Sequence, residues 1–313
     1  MSSRIDKNTT KKKKRKWLKI LIFTFVFLFL IVGGYVYSVY NSLSTAVDTM
    51  HEPLERGKSE KRTKELSFKK AEPFSVLLMG VDERKGDRGR SDSLIVLTIN
   101  PNSNSVKMLS IPRDTRTEIV GKGYEDKINH AYAFGGVDMS IATVENFLDI
   151  PIDHYVQINM EGFKDIVDAV GGVTVNNDLN FTYEGTHFPK GQLNLNGEKA
   201  LKYSRMRYED PRGDFGRQAR QRQIIQAVIK EGASLSTLTN YGDIFKALGS
   251  NVKTSLKFDD MVTIQSKYKA ASKDMTQEQV KGKGSKIDGV YYYIVPEEEK
   301  SRLQSMLKKQ LEI

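Results

Sequence analysis

The feature that most constrains this chain lies near its start. ILIFTFVFLFLIVGGYVYSVY, residues 20–40, runs for twenty-one residues without a charge. A helix needs about 20 apolar residues to cross a bilayer, and a cleavable signal peptide has an apolar region of only about 7 to 15. Tyr35 and Tyr37 at the end of the run suit the membrane–water interface. The expectation is one uncleaved transmembrane signal anchor over 20–40. Residues 1–19 hold nine Lys and Arg against one acid, Asp6, whereas the first charges beyond the run are Asp48, Glu52 and Glu55. The positive-inside rule then places the tail in the cytoplasm and the rest of the chain outside.

The tail supplies +8 of the formal net charge of +10. The basic balance is a topology signal, and it offers no argument for nucleic acid. The chain has no cysteine, which excludes a disulfide framework and a structural thiolate metal site. Residues 41–73 are polar, highly charged and nearly free of aromatic side chains, and read as an extracellular stalk. The folded domain is expected over 74–313, long enough for one large core.

Within 74–313, FSVLLMGV (74–81), DSLIVLTIN (92–100) and VKMLSIP (106–112) are short apolar runs bounded by Gly, Asn and Pro, as buried strands are. The turn residues Pro101 to Asn104 predict a hairpin between the second and third. An amphipathic helix is predicted over 137–150, a strand at HYVQINM, a glycine-stopped helix at EGFKDIVDAVGG, a late strand over 289–295 and a terminal helix from Pro296. Strands alternating with helices, with at least one hairpin, predict a three-layer α/β/α sandwich on a mixed central sheet.

The charged chemistry gathers at strand ends. GVDERKGDRGRSDS (80–93) carries Asp82, Arg90 and Asp92. It reads either as a solvated loop or as two carboxylates that need a cation between them, a donor set suited to magnesium bridged to substrate phosphates. SIPRDT (110–115) places Arg113 and Asp114 at the end of the third strand. In KINHAYAFGG (127–136), a glycine-terminated loop could offer backbone amides to an anion, and His130 reads as a hydrogen-bonded histidine. YSRMRYEDPRGDFGRQARQRQ (203–223) packs six arginines into twenty-one positions. A helix is predicted from about Phe215 to Lys230. At helical spacing Arg217 and Gln221 share the stripe of Ile224, Ile225 and Val228, and Arg220 and Arg222 flank it. A buried guanidinium needs an anion, either an internal partner such as Asp210 or Asp214, or a ligand. No GxSxG elbow, phosphate loop or cysteine nucleophile is present. Arginine with aspartate remains, and guanidinium groups bind phosphates bidentately.

Taken together, GVDxR, GRSDSLIVLTIN, SIPRD, KINHAYAFGG and the arginine-rich segment resemble the LytR-CpsA-Psr family of cell-envelope transferases, over residues 74–235. The resemblance implies an enzyme on the outer face of a Gram-positive membrane. It would move an anionic glycan, wall teichoic acid first among the options and capsular glycans next, from an undecaprenyl-pyrophosphate carrier to a peptidoglycan hydroxyl. By motif position, Asp82 and Asp92 would hold magnesium, or another divalent cation such as manganese. Arg90, Arg113, Arg205, Arg207, Arg217 and Gln221 would grip the pyrophosphate. Asp92, Arg113 and Asp214 are the candidate catalytic groups, with Asp92, Asp114 and Asp214 all open as the general base. The rival readings are a lipid-pyrophosphate hydrolase, a carrier that binds without turnover and a transcriptional regulator. Nineteen cytoplasmic residues are too few for the last.

Overall fold

Apolar runs with β-branched residues form the middle of the molecule, and their hairpin connection decides how they pair. The computed structural model describes residues 47–82, 89–232, 249 and 251–313, with isolated positions between 25 and 45. Phe74–Val81 (β1), Ser91–Asn100 (β2) and Ser105–Ile111 (β3) form as expected to within a residue. The β2–β3 turn places Asn104 at φ 48°, a left-handed conformation that Asn tolerates. Arg116–Glu118 (β4) and Glu125–Lys127 (β5) make a small hairpin before helix α1, His130–Leu148. Next come His154–Ile158 (β6), Met160–Ala169 (α2), Val173–Asn177 (β7), Phe181–Tyr183 (β8), Thr186–Phe188 (β9), Gly191–Leu195 (β10) and Gly197–Arg205 (α3). Asp214–Gly232 (α4), Val252–Thr254 (β11), Phe258–Lys267 (α5), Asp274–Gln279 (β12), Lys283–Ile287 (β13), Val290–Ile294 (β14) and Glu297–Leu311 (α6) complete the order.

The central sheet runs β11-β6-β1-β2-β3-β12. β1 pairs with β2, β2 with β3 and β11 with β6 antiparallel, while β6 joins β1 and β12 joins β3 in parallel. The sheet is therefore mixed, and both faces are covered. Leu77, Met79 and Val81 point to one face, where α1 (Val144, Phe147, Leu148) and α6 (Leu303, Leu307, Leu311) pack. Val76 and Leu78 point to the other, against Ile225 and Ile229 of α4 and Met261 and Ile264 of α5. Burying each such side chain favours folding by roughly 1.5–3 kcal/mol. A separate cluster joins α2, α3 and the β7–β10 hairpins to the opposite side of α4 through Ile224 and Ala227.

Several expectations need correction. Among the described residues compact packing begins at Val47, which is fully buried, so residues 47–73 belong to the folded unit and do not form a stalk. Their charges are paired at a distance along the chain. Arg56 donates to Glu145, which is only 5% exposed, and Arg62 grips both carboxylate oxygens of Asp153 at 2.6 and 2.7 Å. Phe68 stacks edge-on against Phe74 at 5.0 Å. The late tyrosine-rich strand, β14, pairs with β13 outside the central sheet, and the polar DMTQEQ segment supplies the edge strand β12 instead. The helix expected over 137–150 follows a non-helical break at Gly135 and Gly136, where Gly136 takes φ 66°, and a separate helical turn from His130 precedes the break, the two together making up α1. The expected anion-holding loop is therefore a helical turn. The expected span over 20–40 lies largely outside the described residues. Among the described residues, no helix is long and apolar enough to cross a membrane.

Candidate active site

The antiparallel register brings the end of β1, the start of β2 and the end of β3 to one edge of the sheet. Asp82 follows β1, Asp92 opens β2 and Arg113 follows β3. These residues are far apart in sequence, and the pairing alone makes them neighbours. Arg113 donates to Asp92 Oδ1 at 2.7 Å. Asp114 lies 3.8 Å from the Arg113 guanidinium and is paired with Lys127 at 2.8 Å.

Helix α4 begins with Asp214 at the same edge. Arg217 forms an ion pair with Asp214 at 2.6 Å and donates to the backbone carbonyl of Asp92 at 3.5 Å. Ser93 donates to Gln221 Oε1 at 3.1 Å, tying the helix to β2. Arg207 is half-buried, with its guanidinium 4.8 Å over the Tyr208 ring. Arg205 ends α3 and lies 3.5 Å from Glu184, with 41% of its side chain exposed. Arg90 is exposed just before β2. Residues 83–88, the remainder of the first charged loop, lie outside the described residues.

The electrostatics of the two central arginines differ. Burial disfavours the charge on Arg113, but its hydrogen bond to Asp92 and the charges of Asp92, Asp114 and Asp214 outweigh it and raise its pKa. For Arg217, burial lowers the pKa, and the positive charges of Arg113 and Arg207 act in the same direction against Asp214 and Asp92. Among the described residues, its Nε is buried without a hydrogen-bond partner. A guanidinium with a spare buried donor beside two like charges is a site that an added anion stabilises.

The charged edge is the mouth of an apolar cavity. Asp82, Asp92, Ser93, Arg205 and Gln221 line it together with Leu78, Ile95, Ile158, Phe163, Leu201 and Ile225. The register explains the lining. Leu78 pairs with Ile95 and shares the face of Gly80, which sits opposite Ser93 and next to Ile158. A Cβ on Gly80 would come within 3.1 Å of the Ser93 Cβ, so the absent side chain keeps the mouth open.

The structure sorts the arginine-rich segment. Arg217 and Gln221 do face the sheet edge, but Arg220 and Arg222, expected to flank the apolar stripe, are 1% and 6% exposed. Helix α4 is packed on two sides, so the one-sided reading of its stripe fails. Arg220 meets Asp210 at 2.6 Å and caps the carbonyls of Tyr203 and Met206. Arg222 is held by Ser110 and Gln277. The internal ion pairs weighed against a ligand site are both present, Asp210 with Arg220 and Asp214 with Arg217. Neither Asp114 nor Asp214 lines the cavity, and both back the guanidinium groups. His130 is hydrogen-bonded to Asp126 at 2.7 Å, as expected. Ser93, Lys127 and the cavity lining were not singled out in the sequence. Alternation along β1 and β2 was the available signal for Leu78 and Ile95.

Magnesium fits this donor set. Asp82 and Asp92 supply hard oxygens at one mouth, and Mg²⁺ is commonly held by one or two carboxylates plus substrate phosphates. Among the described residues no group of three or more His, Cys, Asp or Glu could hold an ion unaided, so such an ion would depend on donor oxygens.

Comparison with known proteins points in one direction. The model of the LytR_cpsA_psr family matches residues 36–309. A polyisoprenyl-teichoic acid–peptidoglycan teichoic acid transferase TagU of Bacillus cereus is 58% identical over 287 residues, 91% of this chain and 94% of that protein. The crystal structure of TagU from B. subtilis aligns with a TM-score of 0.64 at 52% identity, over 77% of this chain and 98% of that one. A structure of the LytR-CPS2A-psr family protein YwtF (TagT) with bound octaprenyl pyrophosphate lipid aligns with a TM-score of 0.68 at 32% identity, over 84% of this chain and 100% of that one.

Proposed function

This chain belongs to the LytR-CpsA-Psr family, and from that membership we propose that it transfers wall teichoic acid from undecaprenyl pyrophosphate to a peptidoglycan hydroxyl outside a Gram-positive cell membrane. The observation that carries the reading is the union of a charged mouth and an apolar cavity in one site. A prenyl pyrophosphate has those two parts, and a relative holds octaprenyl pyrophosphate. The names of the similar proteins supply the reaction class.

In this reading the prenyl chain enters between Leu78, Ile95, Phe163 and Ile225, which excludes water from its methylenes. Arg205, Arg207 and Arg217 hold the pyrophosphate, with Arg90 and Gln221 at its margin, and the unpartnered Nε of Arg217 gains an acceptor. The acceptor hydroxyl attacks the phosphorus that carries the polymer. A new O–P bond forms, the bond to the bridging pyrophosphate oxygen breaks, and undecaprenyl phosphate departs with that oxygen. Arg113, fixed by Asp92, stabilises the charge that develops on the transferred phosphate. Magnesium held by Asp82 and Asp92 would neutralise part of the same charge. Asp92 lines the cavity with its Oδ1 held by Arg113 at 2.7 Å, so it serves as anchor and metal ligand, and the hydroxyl proton passes to Asp114 or Asp214, the carboxylates that also pair with Arg113 and Arg217.

The test is transfer of a radiolabelled glycan from a synthetic undecaprenyl-pyrophosphate donor to nascent peptidoglycan by the full chain in detergent micelles. It is run with and without magnesium, beside Arg205→Ala and Asp92→Ala. Peptidoglycan labelling that needs magnesium and falls about 10²-fold or more in both variants is the expected result. Glycan released regardless of acceptor would establish a hydrolase instead, and donor binding without product would establish a carrier.

A further inference from the structure

The β13–β14 hairpin is docked beside the catalytic edge through its backbone. Tyr293 N–H donates to the Asp114 carbonyl at 2.8 Å, and Tyr293 bridges to Thr115 in parallel. The Tyr293 ring meets Phe215, the second residue of α4, at 5.5 Å. Both contacts are to neighbours of the site, the one next to Arg113 and the other next to Asp214.

Along β14, Tyr293 and Tyr291 share a face, but they meet different surroundings. Tyr293 is 6% exposed and belongs to the core, whereas Tyr291 is 45% exposed. The inner side of the Tyr291 ring lies against Gly284, where an added Cβ would stand 2.7 Å from it. A glycine there leaves room for the ring against the neighbouring strand, and the ring remains 45% exposed. Burial, and after it the charges of Asp114 and Asp214, raise the Tyr291 pKa. Directly across the strands, Tyr291 pairs with Lys286, which is exposed. Lys283 on the same strand is exposed as well.

We propose that Tyr291 and Lys286 form the acceptor platform of this enzyme, the ring stacking on an aminosugar of a peptidoglycan strand and the ammonium meeting a carboxylate of that strand. The proposal rests on the transfer reading above. A pyranose presents an apolar C–H face that an aromatic ring covers at little entropic cost. Peptidoglycan carries carboxylates on its lactyl and peptide branches, which complement the hairpin lysines. The platform stands on the β3 and α4 side of the site, apart from the residues that line the prenyl cavity. Acceptor and donor would therefore meet from different directions at Arg113 and Arg217.

The test separates acceptor binding from transfer. Radiolabelled, uncross-linked peptidoglycan strands are dialysed to equilibrium against the full chain in micelles without donor. Tyr291→Ala should weaken binding about tenfold, Tyr291→Trp should retain it, and Lys286→Glu should weaken it with a flattened salt dependence. In transfer assays Tyr291→Ala should raise the KM for strands and leave kcat and the donor KM unchanged. Wild-type affinity in Tyr291→Ala, or equal loss in Tyr291→Trp, would overturn the platform. Strand binding that depends on Tyr291 in a protein that transfers nothing would sink the transferase reading and leave the platform standing.

Discussion

Asp210→Asn is the substitution whose cost can be worked most directly from this structure. The Asp210 side chain is fully buried, and it accepts from Arg220 at 2.6 Å and from the backbone, Nε and terminal nitrogen of Arg212, each at 2.9 Å. Arg212 has 43% of its side chain exposed and a second partner in Asp178, so water can replace what it loses. Arg220, at 1% exposure, has no such recourse. Removing one partner of a buried pair costs about 3–5 kcal/mol. Asn keeps the shape and one acceptor, so the lower end applies, and the thermal midpoint should fall by about 6–12 °C. Burial alone would raise the Asp210 pKa, but the hydrogen bonds from Arg212 and Arg220 hold it well below the usual carboxylate range. A depressed folded pKa stabilises above the unfolded value and is lost as pH falls through the folded one. The gap between wild type and variant should therefore be full at neutral pH and narrow below about pH 4. Thermal melts of the full chain by far-UV circular dichroism measure it. Asp210→Leu with Arg220→Met should recover more than half of the loss. A midpoint within a degree or two of wild type, or a double variant no better than the single, would refute the argument.

Three further outcomes are expected. Gly80→Val should narrow the cavity mouth against Ser93, at about 1–3 kcal/mol of overpacking, and should raise the KM of a prenylated donor more than that of a chain-truncated one. Equal effects on the two donors would count against the prenyl cavity. Burial holds the His154 pKa down, so the unfolded chain binds more protons below about pH 6.5 and stability should fall as pH drops through that range. Urea midpoints at successive pH values should show this in the wild type, with a flatter profile in His154→Gln. Arg222 is buried, its acceptors among the described residues are neutral, and burial lowers its pKa. Arg222→Met should consequently be neutral or up to about 1 kcal/mol stabilising, and a large loss in denaturant melts would show that Ser110 and Gln277 depend on it.

The sequence by itself determined the strands β1, β2 and β3, the turn between them, the terminal helix and the acid and arginine content of the site, because these depend on local periodicity and punctuation. Asp82, Asp92 and Gln221 were named together through motif resemblance, and strand pairing with the packing of α4 brings them to the lining of one cavity. Tertiary structure decided whatever depended on distant partners. The charges of residues 47–73 looked solvated until Glu145 and Asp153 were brought to them. The polar β12 became a strand because the edge of β3 was open to it. The sequence pattern of α4 implied one buried face, whereas two cores flank the helix, and that arrangement separates Arg217 at the charged sheet edge from Arg220 in its internal ion pair. The lining of the cavity likewise awaited the fold, since Leu78, Phe163 and Ile225 come from three elements and are indistinguishable from core residues until the space between them exists.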